Sequence, residues 1–275
     1  MVYAWAEWRD HIQYVVVAAD GKVRRTLDIP LPGMSMVHDM SLTDRYAVIY
    51  DQPVTVSLKL AIARLFPFRW DLDYGNRIGL LPREGTADDI IWIDVPLGYS
   101  YHPMNAFDDP DGNVMIDLCV YERMFDQDKA GPFGDSLARL ERWILNPSLR
   151  TASTQIIDER PNEFPRHRES LSTQSYRFGY TVSPSRDAGM GWPTLKHDLQ
   201  TGHRWSFDHG PGRAAGDAVF VTKDDGWLLS FVHDLKTEGT EFVVMDASDF
   251  ERGYVARVAL PQRVPFGFHG NWISD

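Results

Sequence analysis

Three histidines stand in short strings that are far apart along the chain but alike in setting: Val37-His38-Asp39-Met40, Tyr101-His102-Pro103-Met104-Asn105-Ala106 and Phe266-Gly267-Phe268-His269-Gly270-Asn271-Trp272. Each lies at the edge of an apolar or aromatic, strand-like run. A fold that gathers strand ends around an axis would bring His38, His102 and His269 to one point as metal ligands. Imidazole serves iron, copper, nickel and zinc alike, so these residue types indicate a metal without choosing it. Asp39 invites a reading as the carboxylate of a 2-His-1-carboxylate set, but adjacent strand residues point to opposite faces. Asp39 is therefore expected to anchor a loop or cap a backbone N–H. The other histidines (His11, His167, His197, His203, His209 and His233) are mostly flanked by charged or turn residues and are expected at the surface or hydrogen-bonded locally. No nucleophilic triad, Walker loop or dinucleotide fingerprint is found; Gly210-Pro211-Gly212 and the pair Gly189 and Gly191 read as turns, since neither opens a helix after a strand.

The elements that must position the histidines read as short strands. Apolar runs recur at Tyr14 to Ala18, Tyr46 to Tyr50, Arg77 to Leu81, Ile90 to Val95 and Val114 to Val120, with turn signals such as Asp20-Gly21 and Asp111-Gly112 between them. They resume at Ser153 to Ile157, Ser175 to Val182, His203 to Phe207, Val219 to Val221, Trp227 to His233, Glu241 to Met245 and Tyr254 to Val258. This spacing favours a propeller or sandwich over alternating α/β units. Val219 to Val221, Trp227 to Val232 and Phe242 to Asp246 look like successive strands of one blade. Leu137, Leu140, Trp143 and Ile144 have helix-like spacing, but Pro132 and Pro147 bracket them, so an extended edge segment is the alternative. No low-complexity linker interrupts residues 1–275, which predicts one domain.

The ordered motifs, His-Asp early, His-Pro-x-Asn-Ala in the middle and Phe-His-Gly-Asn-Trp near the end, resemble the carotenoid cleavage oxygenases, a family that includes apocarotenoid and lignostilbene dioxygenases. Weaker strings extend the likeness along the chain: Tyr3-Ala4-Trp5, Glu163-Phe164-Pro165-Arg166, Tyr176-Arg177-Phe178-Gly179-Tyr180, Asp198-Leu199-Gln200-Thr201-Gly202, Asp224-Asp225-Gly226-Trp227 and Val244-Met245-Asp246-Ala247. The resemblance implies an all-β fold, a seven-bladed β-propeller with Fe(II) on its axis, held by four histidines and splitting a conjugated C=C bond with O2. His38, His102 and His269 match three of those ligands and would be the catalytic set. Glutamates lie behind the ligands in that family. Glu163 matches one of them, and Asp217, one methylene shorter, stands where another is expected, which puts its reach to an imidazole in doubt. The family's first ligand histidine, usually followed by a Pro-Lys-like pair, should precede His38 by about one blade. No such residue is present, and His11 lacks the flanking proline. The chain is therefore expected to be the C-terminal part of a longer protein or a truncated product, with weak iron binding and exposed blade edges prone to association.

Length and charge agree with that reading. Blades of four strands take roughly 40 to 50 residues each, so 275 residues hold about five and leave an incomplete propeller. With 28 Lys and Arg against 39 Asp and Glu, the net charge is −11, and the basic residues form no stripe, which argues against nucleic acid as a partner. The expected partners are O2 and a lipophilic polyene or stilbene, drawn along an aromatic tunnel in which Phe66, Phe68, Trp70, Tyr99, Tyr101 and Phe107 are candidates. Extracting such a molecule from lipid leaves peripheral membrane contact open. The lone Cys119 excludes an intramolecular disulfide framework and fits a reducing cytoplasm; no signal peptide or membrane-spanning run is visible. Two rivals remain at this stage: a truncated, inactive propeller fragment, and a three-histidine zinc hydrolase.

Overall fold

Turn residues break the chain into strands too short to bury their apolar faces alone, and each strand pairs with its neighbours in sequence to form small antiparallel sheets. The computed structural model describes residues 2–3, 11–129, 131–187, 189–221, 226–262, 264–265 and 269–273. The first sheet holds β1 (Val2–Tyr3), β2 (His11–Val17) and β3 (Val23–Pro30). The second begins with β4 (Met40–Leu42) and β5 (Tyr46–Asp51). It is then interrupted by the hairpin of β6 (Val54–Val56) and β7 (Phe68–Trp70), with the short helix α1 (Leu58–Ile62) between them. The sheet is completed by β8 (Arg77–Pro82) and β9 (Ile91–Asp94).

Two four-stranded meanders follow. The third sheet runs β10 (Pro103–Asp108), β11 (Val114–Val120), β12 (Arg139–Asn146) and β13 (Thr151–Asp158); the fourth runs β14 (Glu163–His167), β15 (Phe178–Val182), β16 (Thr194–Asp198) and β17 (Arg204–Phe207). The fifth has β18 (Arg213–Ala215), β19 (Val219–Val221), β20 (Trp227–Asp234), β21 (Thr240–Asp246) and β22 (Tyr254–Ala259), with β18 and β19 both paired to β20. These five sheets are the expected blades of an incomplete propeller. Among the described residues no strand pairing joins the first sheet to the last.

Packing between sheets supplies the core. Val48, Tyr50, Ile78, Leu80 and Ile93 of the second sheet meet Ala106, Val114, Ile116, Leu118, Trp143 and Leu145 of the third, all buried. The turn between β10 and β11 needs a residue in the left-handed region, and Gly112 fills it at φ 85°, a conformation that costs glycine little.

Several sequence expectations agree closely with this architecture. Val114–Val120 and Val219–Val221 are strands with the predicted bounds, and β19, β20 and β21 pair in succession as one blade. The stretch around Leu140 and Trp143 is neither helix nor edge. Arg139–Asn146 is the third strand of its sheet, paired with β11 on one side and β13 on the other. Backbone pairing on both flanks outweighs a helical spacing that two prolines already confined. The strands β10, β14 and β16 were not legible beforehand, because Pro103, Asn105, Pro165 and Lys196 are weak strand formers that only pairing holds extended. No helix among the described residues is long and apolar enough to cross a membrane.

Histidines outside the predicted set are packed into this framework, His167, His197 and His209 among them. His197 Nε2 meets Thr181 Oγ1 at 2.8 Å, and His209 lies between Thr194 Oγ1 at 2.9 Å and Tyr254 Oη at 2.6 Å. His167 Nε2 is 3.1 Å from Ser172 Oγ. These rings are locally hydrogen-bonded as expected, but His197 and His209 are buried rather than at the surface. Burial pushes the pKa of each of the three down to about 4. Above pH 6.5 these rings are neutral in folded and unfolded chain alike, and their full contribution to stability is present. As pH falls towards 4 the unfolded chain takes up protons that the folded chain refuses, at a cost on the order of 3 kcal/mol per ring. The urea midpoint is therefore expected to fall steeply between pH 6.5 and 4 and to fall less in His209→Gln; a flat midpoint across that window would contradict neutral burial.

Candidate metal centre

Strands of successive sheets stand side by side: β10 touches β4 and β14, and β14 touches β19. The candidate residues sit at the leading ends of these same strands. His38 precedes β4, His102 precedes β10, Glu163 is the first residue of β14 and Asp217 precedes β19. His269 arrives from beyond β22. Phe266, Gly267 and Phe268 of its motif lie outside the described residues, as do Ala4 and Trp5 of the N-terminal string and Asp224 and Asp225 of the turn string.

Two backbone irregularities aim the side chains. Pairing of β14 with β15 skips from Glu163 to Arg166, because Pro165 has no N–H to give the ladder. Phe164 adopts a left-handed conformation at φ 51°. Its N–H turns back to Glu163 Oε2 at 2.5 Å, so the bulge both ends the pairing and holds the carboxylate. A second register shift separates Pro103 from Asn105 in β10, immediately after His102. Bulges of this kind commonly re-aim a side chain next to a site.

Glu163 is 1% exposed and fully engaged. His102 Nδ1 lies 2.7 Å from its Oε2, and the Tyr121 hydroxyl donates to its Oε1 at 2.8 Å. A carboxylate beside Nδ1 makes that nitrogen the donor and leaves Nε2 as a bare lone pair. That lone pair faces His269, whose Nε2 is 3.1 Å away. Phe164 packs on both rings, tilted against His102 with centroids 5.7 Å apart and edge-on to His269 at 5.8 Å. The His38 ring centre is 5.3 Å from that of His102 and is held edge-on by Tyr101 at 4.8 Å. Burial, with the neighbouring His102 adding to it, lowers the His38 pKa and favours the neutral form that a metal ligand requires.

Asp217 is less closely bound to its imidazole than Glu163 is. Its Oδ2 lies 3.5 Å from His269 Nδ1, at the outer limit of a hydrogen bond, as its shorter side chain leads one to expect. Most of its bonding goes to Arg166, whose guanidinium donates to the same oxygen and also to the Gly270 carbonyl at 2.7 Å. Arg166 thus ties the His269 segment to the fourth and fifth sheets. Sequence reasoning quoted Arg166 in a string but gave it no role, and it missed Tyr121 altogether. Asp39 accepts the Met40 N–H at 2.7 Å, and His11 starts β2 opposite Pro30.

The donor set suits a divalent transition metal. Two nitrogens about 2.1 Å from one metal at right angles stand about 3.0 Å apart, close to the 3.1 Å between His102 and His269. Two imidazole nitrogens at that distance need a proton or a cation between them. Among the described residues no three His, Cys, Asp or Glu side chains stand together at metal-ligand spacing. The three rings share a cavity of about 230 Å³ whose remaining wall includes Tyr101, Tyr121, Pro132, Phe133 and Phe164.

Comparison with known proteins gives this geometry a context. A family model described as "Retinal pigment epithelial membrane protein" matches residues 2–274. A carotenoid cleavage oxygenase of Mycobacterium tuberculosis is 35% identical over 95% of this chain and 62% of its own length. The crystal structure of lignostilbene dioxygenase from Pseudomonas brassicacearum superposes with a TM-score of 0.87 at 25% identity, covering 97% of this chain and 61% of that one. A cobalt-substituted Synechocystis ACO structure gives 0.85 at 25% identity, covering 96% and 58%. The chain thus spans less than two thirds of the length of each of these relatives. Because Glu163 bonds its imidazole directly and Asp217 barely does, Glu163→Gln is expected to weaken anaerobic Fe(II) binding roughly 10 to 100-fold, and Asp217→Asn much less. Equal losses in the two variants, read by metal titration, would contradict that ranking.

Proposed function

The chain belongs to the retinal pigment epithelial membrane protein family, which its relatives join to the carotenoid cleavage oxygenases, and on that premise we propose that it is a non-haem Fe(II) dioxygenase module. The reaction splits one conjugated C=C bond of a carotenoid, apocarotenoid or stilbene, and each carbon takes one atom of O2 to give two carbonyl compounds. Bound iron would supply the activation of O2. The observation that carries the reading is the convergence of His38, His102 and His269 on one aromatic-walled cavity, with a buried carboxylate fixing the tautomer of His102.

Each residue has a task in this reading. His38, His102 and His269 hold the metal as neutral donors. Glu163 fixes His102 through Nδ1–H, and Tyr121 and the Phe164 N–H keep Glu163 in place. Tyr101, Phe133 and Phe164 take the apolar substrate against their rings and keep water from the reacting bond. No side-chain base is required, because no proton leaves the carbons that are cleaved.

A lipophilic substrate must also reach the cavity. Leu58 and Ile62 of α1, together with Leu65, Phe66 and Leu72 nearby in the chain, are exposed, and Phe66 packs tilted against Phe68 and Phe125 with centroids 5.5 and 4.8 Å apart. An exposed apolar patch of this kind marks an interaction site, and we assign it to a lipid surface from which a polyene is drawn. Ile62→Asp with Phe66→Asp is expected to abolish co-sedimentation with phosphatidylcholine vesicles while leaving the fold intact by circular dichroism. Unchanged sedimentation would remove the lipid assignment.

A second reading, an inactive propeller fragment, rests on the three matched histidines where the family resemblance implies four. Product analysis under ¹⁸O2 separates the two. The Fe(II)-loaded chain, given a carotenoid and a stilbene, is expected to form labelled aldehydes that His269→Ala abolishes. Tight Fe(II) binding without product would favour the fragment, and loss of both binding and product would remove the metal assignment.

A further inference from the structure

A larger cavity, about 450 Å³, opens between the fourth and fifth sheets, away from the three histidines. Its wall combines Arg168, Arg177 and Lys196 with Phe178, Tyr180 and Phe220. We propose that this cavity binds a small aromatic carboxylate, Arg168 and Lys196 taking the anionic group and the rings taking the apolar body.

The electrostatics of Lys196 make the first argument. The residue is only 5% exposed, yet its one hydrogen bond runs to a neutral acceptor, the Ala247 carbonyl at 2.6 Å. Among the described residues no carboxylate forms an ion pair with it. Asp198 and Asp246 are close enough to act on its charge, but each is committed elsewhere. Asp198 takes Arg177 at 2.7 Å and two backbone N–H groups, and Asp246 takes the Ser248 hydroxyl and the backbone of Ser248 and Asp249. A buried ammonium without an anion is costly, and burial lowers its pKa accordingly. An anion entering the cavity would relieve that cost and meet the two N–H groups that Ala247 leaves free.

The second argument concerns shape and polarity. The Lys196 Nζ stands over the Phe178 ring at 4.4 Å and over Trp205 at 4.9 Å, Arg177 lies over Phe178 at 4.8 Å, and Arg168 lies over Phe220 at 6.0 Å. Tyr180 and Phe220 are stacked with an interplanar angle of 26°. Arg168 makes one hydrogen bond, to Ser170 Oγ at 2.9 Å, which leaves most of its donors for a ligand. Cations resting on ring faces select a planar, aromatic body over a bare ion, and the cavity falls within the roughly 300 to 1,000 Å³ typical of small-molecule sites.

Calorimetric titration of the full chain with sodium benzoate, benzyl alcohol and inorganic phosphate tests the proposal. Benzoate is expected to bind at least tenfold more tightly than either control, and tenfold more weakly to Arg168→Ala and to Lys196→Met. Arg168 is exposed and its truncation does not threaten folding, so that variant decides the matter if Lys196→Met fails to fold. Benzoate binding no tighter than benzyl alcohol, phosphate binding as tight as benzoate, or an Arg168→Ala variant with unchanged affinity would each overturn it. None of these readouts depends on iron or oxygenase activity.

Discussion

A buried carboxylate that accepts three hydrogen bonds orders the centre of this molecule. Glu163 receives the Nδ1–H of His102, the hydroxyl of Tyr121 and the backbone N–H of Phe164, and these donors come from the third and fourth sheets. A carboxylate removed from water is tolerable only with such a full complement of donors. The relative placement of β10, β11 and β14 is thereby coupled to the orientation of a single imidazole. Loss of any donor would leave a charged oxygen unsatisfied at a junction between blades.

The backbone accommodates this arrangement with one interruption of the β14–β15 ladder, between Glu163 and Arg166. Phe164 sits in the left-handed region, which a β-branched or bulky residue rarely enters, and Pro165 removes a donor that pairing would otherwise use. Both residues lie within this one bulge at the leading end of β14. The same segment gives the aromatic face that touches His102 and His269, so the bulge shapes the cavity wall as well as the second ring of contacts.

The two cavities use opposite electrostatic designs. The smaller one presents three imidazoles, one of them backed by the buried Glu163 carboxylate, a combination suited to a cation. The larger presents cations backed by ring faces and a backbone carbonyl, a combination suited to an anion. Asp217 and Asp198 show how the chain keeps the designs apart: each acidic group is paired with an arginine, Arg166 or Arg177, and so contributes little net charge to the adjoining space.

The sequence by itself determined the all-β class, most of the strands and the three histidine motifs, because apolar runs bounded by turn residues and short strings such as Tyr101-His102-Pro103-Met104-Asn105-Ala106 are local properties of the chain. It also marked Glu163 through the string that carries it. Only the tertiary structure decided that Arg139–Asn146 is an interior strand, that Pro103–Asp108 and Glu163–His167 are strands at all, and that Asp217 spends its charge on Arg166 more than on His269. Tyr121, which lies in no motif, acquired its role by meeting Glu163 across the junction of the third and fourth sheets, and Lys196 gained its one hydrogen-bond partner, Ala247, from another blade. These facts are pairings between distant segments, and their energies depend on burial and on which partners compete for each donor, quantities that no local string of residues contains.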